Sequence, residues 1–154
     1  MSVQIVLGSK SDMKVAEKAI DILKELGIKY RLSIASAHRT PDIVDKLVAE
    51  SDAEIFIAIA GLSAALPGVI AARTIKPVIG VPVSGTVNLD SILSVVQMPP
   101  GIPVAGVGLD RGENAALLAA QMLALKDKTI ARALEAYRKK LRDKVIQDSK
   151  EVEV

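Results

Sequence analysis

Short β-branched and aliphatic runs alternate along this chain with longer segments in which apolar residues recur every three or four positions. The runs Val3–Leu7, Lys29–Ile34, Ile55–Ala60, Val78–Val81 and Val104–Val107 read as strands. The segments Asp12–Leu26, Pro41–Glu50, Ala64–Thr74, Leu89–Gln97 and Gly112–Leu125 read as helices. In the first of these, Val15, Ala19, Ile22, Leu23 and Leu26 share one side, while Lys14, Glu17, Lys18, Asp21 and Lys24 lie largely on the other, and Gly27 supplies a left-handed cap. Strand, helix and strand repeated at this spacing give right-handed crossovers and a parallel sheet. The expected fold is therefore an α/β, three-layer doubly wound (flavodoxin-like) domain with a five-stranded parallel sheet in the order 2-1-3-4-5.

One segment is left over. Lys128–Gln147 carries Ile130, Leu134, Tyr137, Leu141 and Val145 on one stripe and charge elsewhere, which makes it an extra C-terminal helix that either covers the domain or grips another subunit. Residues 1–125 read as the α/β catalytic domain and 126–154 as a helical extension of that domain, with no internal repeat, low-complexity stretch or linker.

Composition narrows the chemistry. The chain has 154 residues, one domain's worth, with half of them hydrophobic but only 2% aromatic, so the core must be built from Ile, Val, Leu and Ala. The absence of Cys excludes disulfides, thiol catalysis and thiolate zinc sites, and a single His makes a transition-metal site unexpected. His38 is then the only side chain whose unperturbed pKa suits proton transfer near neutrality. The net charge of +2 is uneven: from Lys126 onward nine Lys and Arg face six Asp and Glu, which leaves −1 for the first 125 residues. The basic character belongs to the tail helix, and no nucleic-acid partner is expected. The uncharged 18-residue stretch Ile55–Ala72 has the length of a membrane span, but Gly61, Ser63, Pro67 and Gly68 interrupt it, so it reads as strand, loop and buried helix. The start lacks the basic flank of a signal peptide, and the chain reads as cytoplasmic, with no membrane partner.

In open parallel sheets ligands bind beyond the carboxyl ends of the strands, near the point where strand order reverses. The first loop there, Gly8-Ser9-Lys10-Ser11-Asp12, suits an anion at a helix start, with Asp12 able to accept from a sugar hydroxyl; capping of the helix by Ser11 or Asp12 explains the same residues without a ligand. The second, Ser36-Ala37-His38-Arg39-Thr40-Pro41-Asp42, has Thr40 as an N-cap before Pro41 at the first helical position. Capping does not account for His38 and Arg39, a candidate acid/base beside a permanent cation suited to phosphate. The third, Ala60-Gly61-Leu62-Ser63-Ala64-Ala65-Leu66-Pro67-Gly68, has no ionisable group and forms either a dry wall or plain packing. The last, Gly106–Gly112, reads as a turn, with Glu113 and Asn114 as weak ligand candidates.

Several of these segments together resemble one known family. Gly8-Ser9-Lys10-Ser11-Asp12, Ser36-Ala37-His38-Arg39-Thr40-Pro41, Leu66-Pro67-Gly68, Pro77–Val83, Ser94–Pro99 and Asn114–Gln121 resemble, in order, the N5-carboxyaminoimidazole ribonucleotide mutase family of purine biosynthesis. The resemblance runs from Val3 to about Leu125. It implies an isomerase without metal or organic cofactor, acting on a small ribonucleotide by releasing, trapping and re-adding carbon dioxide. Carried over by position, it implies His38 as the proton carrier, Ser9 and Arg39 as phosphate-end ligands, Asp12 as a ribose ligand and Ser36 as a pocket residue. Gly8, Ser11, Gly61, Ser63, Ala64 and Leu66 complete the expected pocket. The resemblance also implies a homo-octamer with sites at subunit boundaries and a C-terminal helix that reaches a neighbour.

The chain departs from the family's usual loop A-G-x-G-G-A-A-H-L-P-G. Its own version, Ala60–Gly68, is shorter and places Ala65 where a second histidine would fall. The shortened form is also similar to the sister class that carboxylates aminoimidazole ribonucleotide directly with carbon dioxide, although that class generally has Lys after the loop histidine and this chain has Arg39. A receiver-like module shares the expected sheet, but it needs an Asp ending strand three and a Lys ending strand five, where this chain has Ala60-Gly61 and Gly108. A generic nucleotide-binding protein is compatible with the fold alone and gives His38 no reason to adjoin Arg39.

Overall fold

The computed structural model describes residues 2–152. Five parallel strands form one sheet: β1 (Ser2–Leu7), β2 (Lys29–Ile34), β3 (Ile55–Ala60), β4 (Val78–Pro82) and β5 (Ala105–Gly106), in the order 2-1-3-4-5. The helices are α1 (Met13–Glu25), α2 (Pro41–Glu50), α3 (Leu66–Ala71), α4 (Asn88–Val96), α5 (Gly112–Ala124) and α6 (Lys128–Val152), with a short 3-10 turn, Lys10–Asp12, before α1. The uncharged stretch 55–72 is divided as expected into β3, a loop and α3, and no helix among the described residues is long and apolar enough to cross a membrane.

The period-2 alternation of the strands builds two cores, one on each face. In β3, Ile55, Ile57 and Ile59 join Val3, Ile5 and Leu7 of β1 beneath α1, α5 and the start of α6. Phe56, Ala58 and Ala60 face the other way, with Val6, toward α2, α3 and α4. Gln4 is the one polar side chain buried in the strands, and its Nε2 donates to the Ser33 hydroxyl at 3.2 Å and the Ile5 carbonyl at 3.1 Å. Burying it is tolerated because the amide is hydrogen-bonded.

Local chemistry sets the helix ends. Gly27 adopts φ +68°, and the bonds Ile28 N to Leu23 O (2.8 Å) and Gly27 N to Lys24 O (3.1 Å) complete a Schellman cap on α1. Asp127 caps α6 by accepting from the amides of Thr129 (2.8 Å) and Ile130 (3.3 Å). α6 is longer than its periodicity predicts. It buries Ile130 and Leu134, Lys140 holds Glu25 of α1 at 2.9 Å, and every described residue from Arg138 on is exposed.

Two elements differ from expectation. β5 is two residues where Val104–Val107 is predicted, because this edge strand is confined between Pro103 and the glycines 106 and 108. α3 begins at Leu66 rather than Ala64, because Ser63 (φ 63°) and Ala64 (φ 29°) lie in left-handed backbone that no right-handed helix can include.

The approach of α5 to α1 leaves no room for a side chain at Gly112, where a Cβ would overlap the Val15 carbonyl oxygen and sit 3.3 Å from the Ala19 amide nitrogen. Gly112→Ala is expected to lose about 2 kcal/mol or more in urea unfolding, since backbone on both sides must move. Gly85→Ala, which meets nothing within 4 Å, is expected to leave the midpoint unchanged.

Candidate active site

Loops leaving the carboxyl ends of β1, β2 and β3 converge on one cleft of about 440 Å³. β1 pairs with β2 on one side and β3 on the other, so these three loops are neighbours by construction. The ladders run into the loops themselves: Gly8 N donates to Ile59 O at 3.0 Å and Ala35 N to Leu7 O at 2.9 Å. All the residues expected at the site line this cleft: Gly8, Ser9, Ser11, Asp12, Ser36, His38, Arg39, Gly61, Ser63, Ala64 and Leu66. Ala37, Ala60, Leu62 and Ala65 line it as well. Ala37 and Ala60 carry no chemical signal in the sequence, and only their place at strand ends could have marked them.

The first loop is tied by hydroxyls. The Ser9 hydroxyl accepts from Ser11 N at 3.3 Å and lies 3.1 Å from the Ser11 hydroxyl, which donates to Asp12 Oδ1 at 3.3 Å. The cap is therefore Ser9 on the 3-10 turn, and Asp12 makes no side-chain cap bond to α1. Instead the Asp12 carboxylate lies between two backbones: a Cβ at Gly8 would be 3.7 Å from Oδ2, and one at Gly61 3.9 Å from Oδ1. Asp12 is 6% exposed. Burial raises its pKa above the usual carboxylate value, against smaller lowering by the Ser11 hydroxyl, the Ser9 backbone and the Arg39 charge.

Arg39 joins the first two loops. Its Nη2 donates to Gly8 O at 3.2 Å and its Nε to the Ser36 hydroxyl at 3.3 Å, and that hydroxyl also accepts from Arg39 N at 3.2 Å. The guanidinium is oriented by protein groups yet exposed, with donors left over for an anion. His38, in the same loop, is exposed and lines the cleft.

The third loop supplies the apolar side, though not as the sequence suggests. Ala64 and Leu66 are buried, Ala64 being held by its amide to Gly61 O at 2.6 Å, but Leu62 is 80% exposed. Within one chain Leu62 therefore edges the cleft without closing it. It borders a second hollow with Ser63 and with Asp90, Leu93, Ser94 and Gln97 at α4, a helix that also exposes Leu89 and Val96. Two left-handed non-glycine residues in succession cost about 1–2 kcal/mol each, and the packing of Ala64 holds them.

Glu113 and Asn114 stand elsewhere. Glu113 pairs with Arg111 at 3.2 Å, and Asn114 lies in a groove between α5 and α6. Phe56 is fully buried, and neither Tyr30 nor Tyr137 lines the cleft. A larger hollow of about 950 Å³ opens at the amino ends of β4 and β5, but its cations are engaged, Arg73 with Asp45 and Lys76 with the Ser51 carbonyl at 2.8 Å. Among the described residues no cluster of three or more His, Cys, Asp and Glu is placed to hold a metal.

Residues 2–144 match the family model described as AIR carboxylase. A Methanocaldococcus jannaschii protein named N5-carboxyaminoimidazole ribonucleotide mutase is 58% identical over 149 residues, covering 96% of this chain and 95% of its own. One of the same name from Pyrococcus horikoshii is 46% identical over 156 residues, covering 98% and 88%. The crystal structure of Treponema denticola PurE has a TM-score of 0.91 at 36% identity and covers 99% of both chains.

The burial of Asp12 has a measurable sign. Below about pH 4 the carboxyl is protonated in folded and unfolded chains alike, and the stability tied to its raised pKa is lost as pH rises through the folded value. Asp12→Asn is expected to be at least as stable as the natural chain in urea at neutral pH, with the difference closing on acidification. An advantage that instead grew at low pH would contradict the assignment.

Proposed function

The chain belongs to the AIR carboxylase family, and from that premise we propose that its cleft converts N5-carboxyaminoimidazole ribonucleotide to 4-carboxy-5-aminoimidazole ribonucleotide. The observation that carries this reading is the meeting, in one cleft, of the chain's single imidazole with an oriented guanidinium and a buried carboxylate. Arg39 and Ser9 take the phosphate, Asp12 accepts from a ribose hydroxyl, and Ser36 and the glycine backbones border the ring.

His38 acts twice. As imidazolium it protonates the exocyclic nitrogen while the carbamate C–N bond breaks toward that nitrogen and carbon dioxide is released. The ring carbon then attacks carbon dioxide, and the neutral imidazole removes the proton left on that carbon, which restores the imidazolium. Protons balance over the cycle, so neither a cofactor nor a second base is required. Carbon dioxide must be retained between the steps, and Ala60, Ala64 and Leu66 offer it no hydrogen-bonding partner in their side chains.

Retention needs a further wall. The exposed Leu62, in a hollow it shares with Leu93 of α4, supports a site completed at a subunit boundary of a cytoplasmic homo-octamer. The exposed second half of α6, with Leu141 and Val145 on its surface, supports residues 126–154 as an extension of the single domain that packs on a neighbouring subunit. Sedimentation is expected to give a mass near eight chains, and a monomer would overturn this part.

Direct carboxylation of aminoimidazole ribonucleotide is the second reading, favoured by Ala65 and the short loop around it. Purified protein is expected to turn over the carbamate substrate rapidly and to do little with aminoimidazole ribonucleotide plus bicarbonate at low concentration; the reverse pattern would select the second reading. His38→Asn is expected to lower turnover at least about a hundredfold while nucleotide binding stays within about tenfold. Arg39→Ala is expected mainly to raise KM, and an unchanged KM would remove Arg39 from the phosphate.

A further inference from the structure

Thr40 stands at the N-cap position of α2, before Pro41, but its side chain makes no capping bond. The first turn is served by its carbonyl, which accepts from Ile43 N at 3.1 Å and Val44 N at 3.2 Å. The hydroxyl turns back along the chain instead. Oγ1 accepts from Ser36 N at 2.9 Å and donates to Ser36 O at 3.3 Å, and Thr40 N donates to the same carbonyl at 3.0 Å. Three hydrogen bonds thus join Ser36 to Thr40 across Ala37, His38 and Arg39.

We infer that Thr40 is a positioning residue for the reaction, its hydroxyl closing the Ser36–Thr40 loop into a ring that holds His38 over the cleft. Two of the three closing bonds use the side chain, so a residue without a hydroxyl keeps only the backbone bond. The Ser36 hydroxyl, freed from any duty to its own loop ends, is left to accept from Arg39 N and Nε. His38 has no comparable anchor of its own, since it is exposed in the loop. Its placement therefore depends on the ring beneath it. An imidazole that must reach first a nitrogen and then a ring carbon of the same bound substrate tolerates little drift, because a displacement of about 1 Å costs on the order of a hundredfold in rate.

The inference rests on His38 as proton carrier, and its test separates the two ideas. Because the chain has one histidine, protein labelled with ¹³C-histidine gives a ring signal that belongs to His38 without further assignment. Thr40→Val keeps the branched shape and removes the hydroxyl, Thr40→Ser keeps the hydroxyl and removes the methyl, and Thr40→Ala guards against a valine variant that packs badly. Thr40→Val and Thr40→Ala are expected to shift or broaden the His38 signal and to lower kcat about tenfold or more, with KM within about threefold because Arg39 keeps its bond to the Gly8 carbonyl. Thr40→Ser is expected to restore both the signal and kcat. A moved signal with unchanged kcat would support the positioning and overturn His38 as proton carrier. An unmoved signal and unchanged kcat in the valine and alanine variants, or a serine variant as impaired as they are, would overturn the role of Thr40.

Discussion

Parallel pairing of β1 with β2 on one side and β3 on the other sets where every functional group can be. The chain leaves β1 for the first neighbour, returns across it for the second, and so opens a crevice at the carboxyl end of the central strand. The pairing continues past the strands through Gly8 to Ile59 and Ala35 to Leu7, so the loops inherit the rigidity of the sheet. A shift of one residue in either ladder would exchange the faces of the strands and detach the loops from one another.

Within that crevice polar groups are held against their own solvation preference. Asp12 is buried between two glycine backbones with a raised pKa, and Ser63 and Ala64 sit in left-handed backbone. Both features cost stability and both border the cleft. Arg39 is the opposite case, exposed to solvent but fixed by the Gly8 carbonyl and the Ser36 hydroxyl, so that its charge is presented to the cleft already oriented. Apolar packing of the two sheet faces, where Ile, Val, Leu and Ala do nearly all the filling, supplies the stability that offsets these costs.

The sheet is legible because β1, β3 and β4 are buried along nearly their whole length and leave apolar runs in the sequence, interrupted within β1 by Gln4. The start of α3 is not, since Ala64-Ala65 favours a helix by local propensity and only the turn back to Gly61 overrides it. Glu113 and Asn114 are weak candidates by residue type, and packing removes them: α5 lies against α1, Glu113 is taken by Arg111 and Asn114 opens onto the groove with α6. Thr40 reads as an ordinary cap because a threonine before proline fits one, and nothing in the order of residues shows its hydroxyl choosing Ser36 instead. Leu62 reads as a wall because it is apolar, whereas one chain alone leaves it in water.

The account turns on one imidazole per chain performing both proton transfers. Carbethoxylation with diethyl pyrocarbonate tests this directly, because histidine modification can be followed beside activity and reversed with hydroxylamine. Activity is expected to fall in proportion to modification, to reach zero at one modified histidine per chain, to be protected by bound nucleotide, and to return with hydroxylamine. Protein that keeps full turnover with His38 fully modified would contradict it.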